Sequence, residues 1–400
     1  MVRKKNSLIG SKLRFTCAIV LFYMIGRSIP LVGLDISKLH FVNDFNAQSV
    51  LTQTISGDLN QCSIMALGIA PYMLASIPLQ MILACRSADS KAHTSPFVVN
   101  RLTVALMVVF ATIQAIARLS DLPFAEAGAM LAFTKVTAVI QMVTGAMLIL
   151  WLSERNKKYG IGGQTALIYV NIVDGVRTNL ASHTLAELKL PLMMSLFVLI
   201  VVIWLENAEK RIPMQRISVY NIYGDKNYQA IKLNPIGIMP VMFASAFAML
   251  PQFVISLLLM IWPERSSFLW FQENAVMTRP LGIGIYIACL FILTIIFSVI
   301  FINPGEISEQ LLKSGDSIVN IQAGKESRRY LWRNVLSISV FSATVMSVCM
   351  GIPMCLQLVG KYENSLIMIP ASVMMLTGMW CNLYQEVKGV KSLDAYEPFL

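Results

Sequence analysis

The stretch Gly68-Ile69-Ala70-Pro71-Tyr72-Met73-Leu74-Ala75-Ser76 returns 169 positions later as Gly237-Ile238-Met239-Pro240-Val241-Met242-Phe243-Ala244-Ser245. Both copies read G-I-x-P-x-M-x-A-S, with six identities in nine positions, and each opens a long apolar run. The first copy opens the second apolar run and the other copy the seventh. That offset of five is odd, so equivalent segments cross a bilayer in opposite directions. An inverted repeat of this kind places the working site near the midplane, between the halves. The proline in each copy predicts a helix that kinks or begins within the membrane.

The composition around these copies is that of a lipid-embedded chain. Hydrophobic residues make up 56% of 400, charged residues only 14%, and the mean hydropathy is +0.65. Soluble domains use about 25% charge to cover their surface. A soluble enzyme, a nucleic-acid binder and a disordered scaffold are all disfavoured by this arithmetic. The seven cysteines (17, 62, 85, 289, 349, 355, 381) form no CxxC pair, and His40, His93 and His183 lie far apart. No metal site, disulfide framework, cofactor or catalytic residue is predicted from them.

A hydrocarbon core about 30 Å thick takes roughly 20 apolar residues as a helix. Ten segments qualify: 15–34, 64–85, 102–118, 134–152, 164–180, 190–205, 235–262, 281–302, 334–358 and 365–384. Lipid offers no partner to an unpaired amide, so each must be helical. The expected fold is an all-α membrane protein with ten transmembrane helices in two inverted five-helix halves, residues 1–185 and 186–400. Arg3, Lys4 and Lys5 precede the first apolar run, but Gly26-Arg27-Ser28-Ile29-Pro30 follows it in place of a cleavage site, which predicts a retained first span. Arg27, in the outer half of that span, is expected to snorkel. Asp174, which with Asn171 interrupts the fifth span, is expected at the loop end of a short helix.

With the N-terminus inside, 23 Lys and Arg fall on the inner side and 8 on the outer, Arg27 lying within a span. The positive-inside rule therefore puts both termini in the cytoplasm. It also accounts for a pI near 9.3 without nucleic acid, leaving anionic phospholipid as the expected counter-surface.

Two classes of membrane protein remain open: a conduit for large substrates and an ion-coupled transporter of a small solute. Coupled transporters carry ionisable groups inside their helices, and outside the fifth span the apolar runs hold no Asp, Glu or His at mid-depth. Two long, basic inner loops, about 206–235 and 303–333, form a docking surface for an acidic partner or a nascent chain. No GxxxxGK[ST] motif is present, so ATP-driven work must come from another subunit.

Five ordered stretches resemble the SecY-type channel subunit of the general protein-secretion translocase. They are Ile64-Met65-Ala66-Leu67-Gly68-Ile69-Ala70-Pro71-Tyr72 with Ala75-Ser76, Gly160-Ile161-Gly162, and Arg211-Ile212-Pro213-Met214-Gln215. Met239-Pro240-Val241-Met242-Phe243-Ala244-Ser245 and Asn303-Pro304-Gly305-Glu306-Ile307 complete the set. The resemblance implies two clamshell halves around an hourglass pore. It also implies a lateral opening between spans two/three and seven/eight, and a short outer plug. The polar segment Ser56, Gly57, Asp58, Leu59, Asn60, Gln61 and Cys62, within about 55–66, takes the plug's place.

The implied pore ring is Ile69, Met73, Ile168, Ile172, Met242 and Met368, the span-five pair resting on a one-residue gap at Gly160-Ile161-Gly162-Gly163. An apolar ring resists wetting and offers a polypeptide no fixed hydrogen-bond pattern, and methionine adapts to varied cargo. Implied partners are a SecA-like motor ATPase, small SecE/SecG-like membrane subunits or accessory equivalents, and an unfolded preprotein. Arg211, Arg216, Gln322, Lys325, Arg328 and Arg329 would form the motor-docking loops.

This chain departs from the family where Ile318-Val319-Asn320-Ile321-Gln322-Ala323-Gly324 replaces an Ile-Pro-Gly-Ile-Arg-Pro-Gly run. Gln322 lacks the charge and bidentate fork of the arginine it replaces. The loop after span six is also less basic at its tip, and the chain is somewhat short for the family. These departures resemble the accessory Sec paralogue of Gram-positive bacteria. That resemblance implies a dedicated SecA-like motor and a serine-rich, glycosylated adhesin as cargo.

Overall fold

A computed structural model describes residues 8–34, 62–85, 95–119, 122, 124, 129–181, 183, 187–216, 228–244, 279–358 and 369–396, with isolated positions between 247 and 275. Helices follow the apolar runs: α1 (Leu8–Arg27), α2 (Ala70–Cys85), α3 (Pro96–Arg118), α4 (Ala129–Tyr159), α5 (Gly163–Ala181) and α6 (Lys189–Asn207). After them come α7, whose described helical run is 239–244, then α8 (Pro280–Ile302), α9 (Pro304–Ser314), α10 (Lys325–Leu358) and α11 (Ile369–Tyr396). Among the described residues, α1, α3, α4, α6, α8 and α10 are long and apolar enough to cross a membrane by themselves.

The repeated motif folds the same way twice. Gly68 (φ 57°) and Gly237 (φ 68°) both sit in the left-handed region, two residues ahead of a helix. Pro71 and Pro240 each occupy the second helical position, where the missing N–H loses no bond. The chain therefore begins each helix at the motif instead of kinking it. Residues 64–69, expected inside span two, are turns.

Several helices outrun the hydrophobic windows. At 1.5 Å per residue, the 34 residues of α10 span about 51 Å. Its first turns therefore stand beyond the lipid and carry Lys325, Arg328 and Arg329. Between α8 and α9, Asn303 adopts φ 44°, ends one helix and caps the next by accepting from the Glu306 amide.

The chain is mostly helical, as expected, and adds a three-stranded antiparallel sheet of order β2-β1-β3, made of β1 (Glu209–Arg216), β2 (Tyr228–Lys232) and β3 (Asp316–Ile318). Outside the lipid, backbone groups are free to pair between segments. Ile212, Ile231 and Ile318 turn inward onto Leu311 of α9 and Leu331, Val335 and Ile338 of α10. The two basic loops are thus one structural unit.

Candidate functional site: a buried waist beneath a vestibule

Ile69 (4% exposed), Met73 (2%), Ile168 (1%), Ile172 (3%) and Met242 (4%) belong to one buried apolar cluster. Three separate helical elements bring them together. Each repeat copy delivers its methionine five residues after its left-handed glycine, and α5 presents Ile168 and Ile172 one turn apart. Gln164, at the start of α5, points its Nε2 at the Met73 Sδ at 4.0 Å. Met368 and the plug residues Ser56 to Gln61 lie outside the described residues. Cys62, at the end of the plug segment, is half-buried, and its carbonyl accepts from the Leu31 amide at 2.9 Å.

Above the waist opens a cavity of about 1020 Å³ with Met73 in its lining. One wall is aromatic and apolar: Met239 and Phe243 of α7 face Phe297, Ile300 and Phe301 of α8. Phe243 and Phe297 lie 5.0 Å apart between ring centroids, and Phe297 and Phe301 6.3 Å apart. The other wall carries Tyr72 and Ser76 of α2 with Asn100 of α3. The cavity therefore lies between the two helix pairs expected to form the lateral opening.

Its rim is the turn that joins α4 to α5. Asn156, fully buried, donates to the carbonyls of Ile161 (3.0 Å) and Gly163 (2.9 Å) and accepts from Thr16 Oγ1 (2.9 Å). Gly162 (φ 79°) donates its amide to Glu386 of α11 at 2.9 Å. The left-handed backbone favours glycine there, and an added Cβ would also displace the Leu383 Cδ2 methyl, 2.3 Å away. The glycine run singled out in the sequence is a clamp between α4, α5 and α11.

The expected docking residues lie on the sheet, the turn after it and the start of α10. Arg211 is exposed, donates to Glu209 at 2.9 Å and lies 4.7 Å from the centre of the Tyr228 ring. The hydrogen bond to Glu209, with Tyr228 nearby, raises its guanidinium above the ordinary value. Gln322, Lys325, Arg328 and Arg329 are exposed, and Arg216 ends β1 opposite Asp316.

Two expectations fail. Arg27 does not snorkel: its side chain is 9% exposed and pairs with Asp174 at 3.2 Å. Asp174 is not at a loop end but within α5, one turn beyond Asn171, which accepts from Tyr23 at 2.8 Å. The pairs are 147 and 148 residues apart, so no local pattern signals them. Sequence reasoning also passed over Glu206, one residue beyond the expected sixth span. It is buried (2% exposed) and accepts from Asn234 at 2.8 Å, bracing the approach to Gly237.

Comparison with solved structures gives a fold shared with protein-conducting channels. A structure described as that of a protein conducting channel superposes with a TM-score of 0.67 at 16% identity, covering 98% of this chain and 95% of its own. Sec61 in the canine ribosome–channel complex superposes at 0.63 and 15%, over 98% and 95%. The SecY family model matches residues 63–383, and the chain belongs to the SecY family. A relative from Leuconostoc gelidum, described as accessory Sec system protein translocase subunit SecY2, is 29% identical over 97% of this chain and 96% of its own. One from Streptococcus salivarius with the same description is 26% identical over 98% of both.

Proposed function

We propose that this chain is the pore-forming subunit of an accessory-type protein-export translocase and that Ile69, Met73, Ile168, Ile172, Met242 and Met368 form its pore ring. The observation that carries the proposal is the apolar floor of the vestibule: five of these side chains share one buried cluster, one of them lining the cavity. The ring opposes ion leakage at rest and yields to an unfolded chain. The segment 55–66 acts as the plug, and residues 1–185 and 186–400 act as the two halves that part. The chain lies in the cytoplasmic membrane with both termini inside, among anionic phospholipids and beside small SecE/SecG-like subunits or accessory equivalents. It serves as a conduit, without catalysis of its own.

The united sheet, α9 and the basic start of α10 are the surface for a SecA-like motor. With Gln322 in place of an arginine, that motor is a dedicated one, and the cargo is a glycosylated serine-rich adhesin. Pull-down from detergent with identification of the co-purifying ATPase tests this. An accessory motor is expected, and capture of the housekeeping motor alone would contradict it. The ion-coupled transporter reading is not favoured, since Arg27 and Asp174 neutralise each other and neither lines the vestibule.

A further inference from the structure

The polar contacts between α1 and α5 adjoin the waist, and Tyr23 belongs to the same buried cluster as its side chains. Tyr23 Oη donates to Asn171 Oδ1 at 2.8 Å, and about one turn further along both helices Arg27 Nη2 donates to Asp174 Oδ2 at 3.2 Å. The exposed Arg177 also donates to Asp174 Oδ1 at 3.2 Å. Tyr23 is 1% exposed and Asn171 6%, so the inner rung is dry. On α1 the two donors are four residues apart, and on α5 the two acceptors are three apart. Each pair therefore shares one helix face, and the two contacts form a single seam.

Apolar helix faces in lipid slide and rotate against one another at little cost, because lipid tails are as apolar as leucine. Buried polar and charged groups do not, because their alternatives are unsatisfied groups in hydrocarbon. Each residue turns an α-helix by about 100°. Ile168 and Ile172 consequently lie roughly a third of a turn around α5 from Asn171 and Asp174. Fixing the seam fixes where those isoleucines point.

We infer that Tyr23–Asn171 and Arg27–Asp174 are a positioning ladder that sets the rotation of α5 and so holds Ile168 and Ile172 in the closed waist. The inference rests on the pore-ring assignment made above. The four polar residues act through the isoleucines and touch no cargo.

The test is resting potassium efflux from vesicles holding the intact channel complex, expressed per inserted channel. Tyr23→Phe removes a single hydroxyl and should raise the leak about threefold, the factor equivalent to an average interhelical hydrogen bond in lipid. Asp174→Asn should raise it further. The exchange Arg27→Asp with Asp174→Arg should return it towards the parent level, a rescue that loss of general stability would not give. Parent-level leak in Tyr23→Phe overturns the inference, as does an exchanged pair no tighter than Asp174→Asn. Should Asp174→Asn insert poorly, the leak of Tyr23→Phe decides alone. Ile172→Asn, run alongside, separates the two claims. If it leaks and the ladder variants do not, the ladder fails and the ring stands. If it stays sealed, the ring assignment has failed first.

Discussion

Replacing Asn156 with alanine should destabilise the protein by about 2–4 kcal/mol, and the structure indicates where that energy goes. The side chain is fully buried and satisfies the carbonyls of Ile161 and Gly163 while accepting from Thr16. Truncation does not orphan all three partners. Thr16 Oγ1 already lies 3.4 Å from the Ile161 carbonyl and can turn its proton there. The Gly163 carbonyl opens α5 and keeps its bond along the helix, so the loss is that of the amide's two donated hydrogen bonds, about 0.5–1.5 kcal/mol each. The vacated volume adds about 1 kcal/mol. Reversible unfolding in mixed micelles of rising SDS fraction would measure the change. Thr16→Val combined with Asn156→Ala should destabilise by less than the two singles summed, because the residues share one network. A loss below about 0.5 kcal/mol, or strict additivity, would refute the assignment of this turn as a buried clamp.

Other substitutions separate strain from collision. Gly162→Ala combines a positive φ with a Cβ 2.3 Å from Leu383, whereas Gly315→Ala meets no atom within 4 Å at φ 73°. Gly315→Ala should therefore cost about 1–2 kcal/mol of left-handed strain and Gly162→Ala the same strain plus whatever shifting the Leu383 methyl adds, by the same unfolding measurement. Asn303→Ala removes the cap that holds the start of α9 and should cost about 1 kcal/mol, read as faster proteolysis of the 303–315 segment. Gln322→Arg restores the missing charge and should strengthen binding of a housekeeping motor in a flotation assay; unchanged affinity would make that position incidental.

The seam of the fold was legible because the chain repeats itself. Two copies of one nine-residue text announced two equivalent helix starts, and burial of Met73 and Met242 in one cluster matches that symmetry. Hydropathy gave the spans but not their edges, since α4 and α10 continue as helix past the lipid and a window sees only the apolar part. The sheet was hidden because β1 pairs with a strand a hundred residues away, and strand partnership has no local signature. The ionisable residues in the spans were visible one at a time, yet whether Arg27 snorkels or pairs is decided by a partner on another helix. Gly162 was noticed as a motif, but its neighbour Leu383 and its bond to Glu386 come from over two hundred residues away.

The most direct measurement places single cysteines at 73 and 242 and asks whether each crosslinks to a preprotein stalled in transit. If both methionines seal a shared passage, both positions should capture the chain, while a cysteine at lipid-facing Phe197 (66% exposed) should not. Silence at 73 and 242 with a stalled chain present would mean that the buried cluster is packing and the polypeptide travels elsewhere.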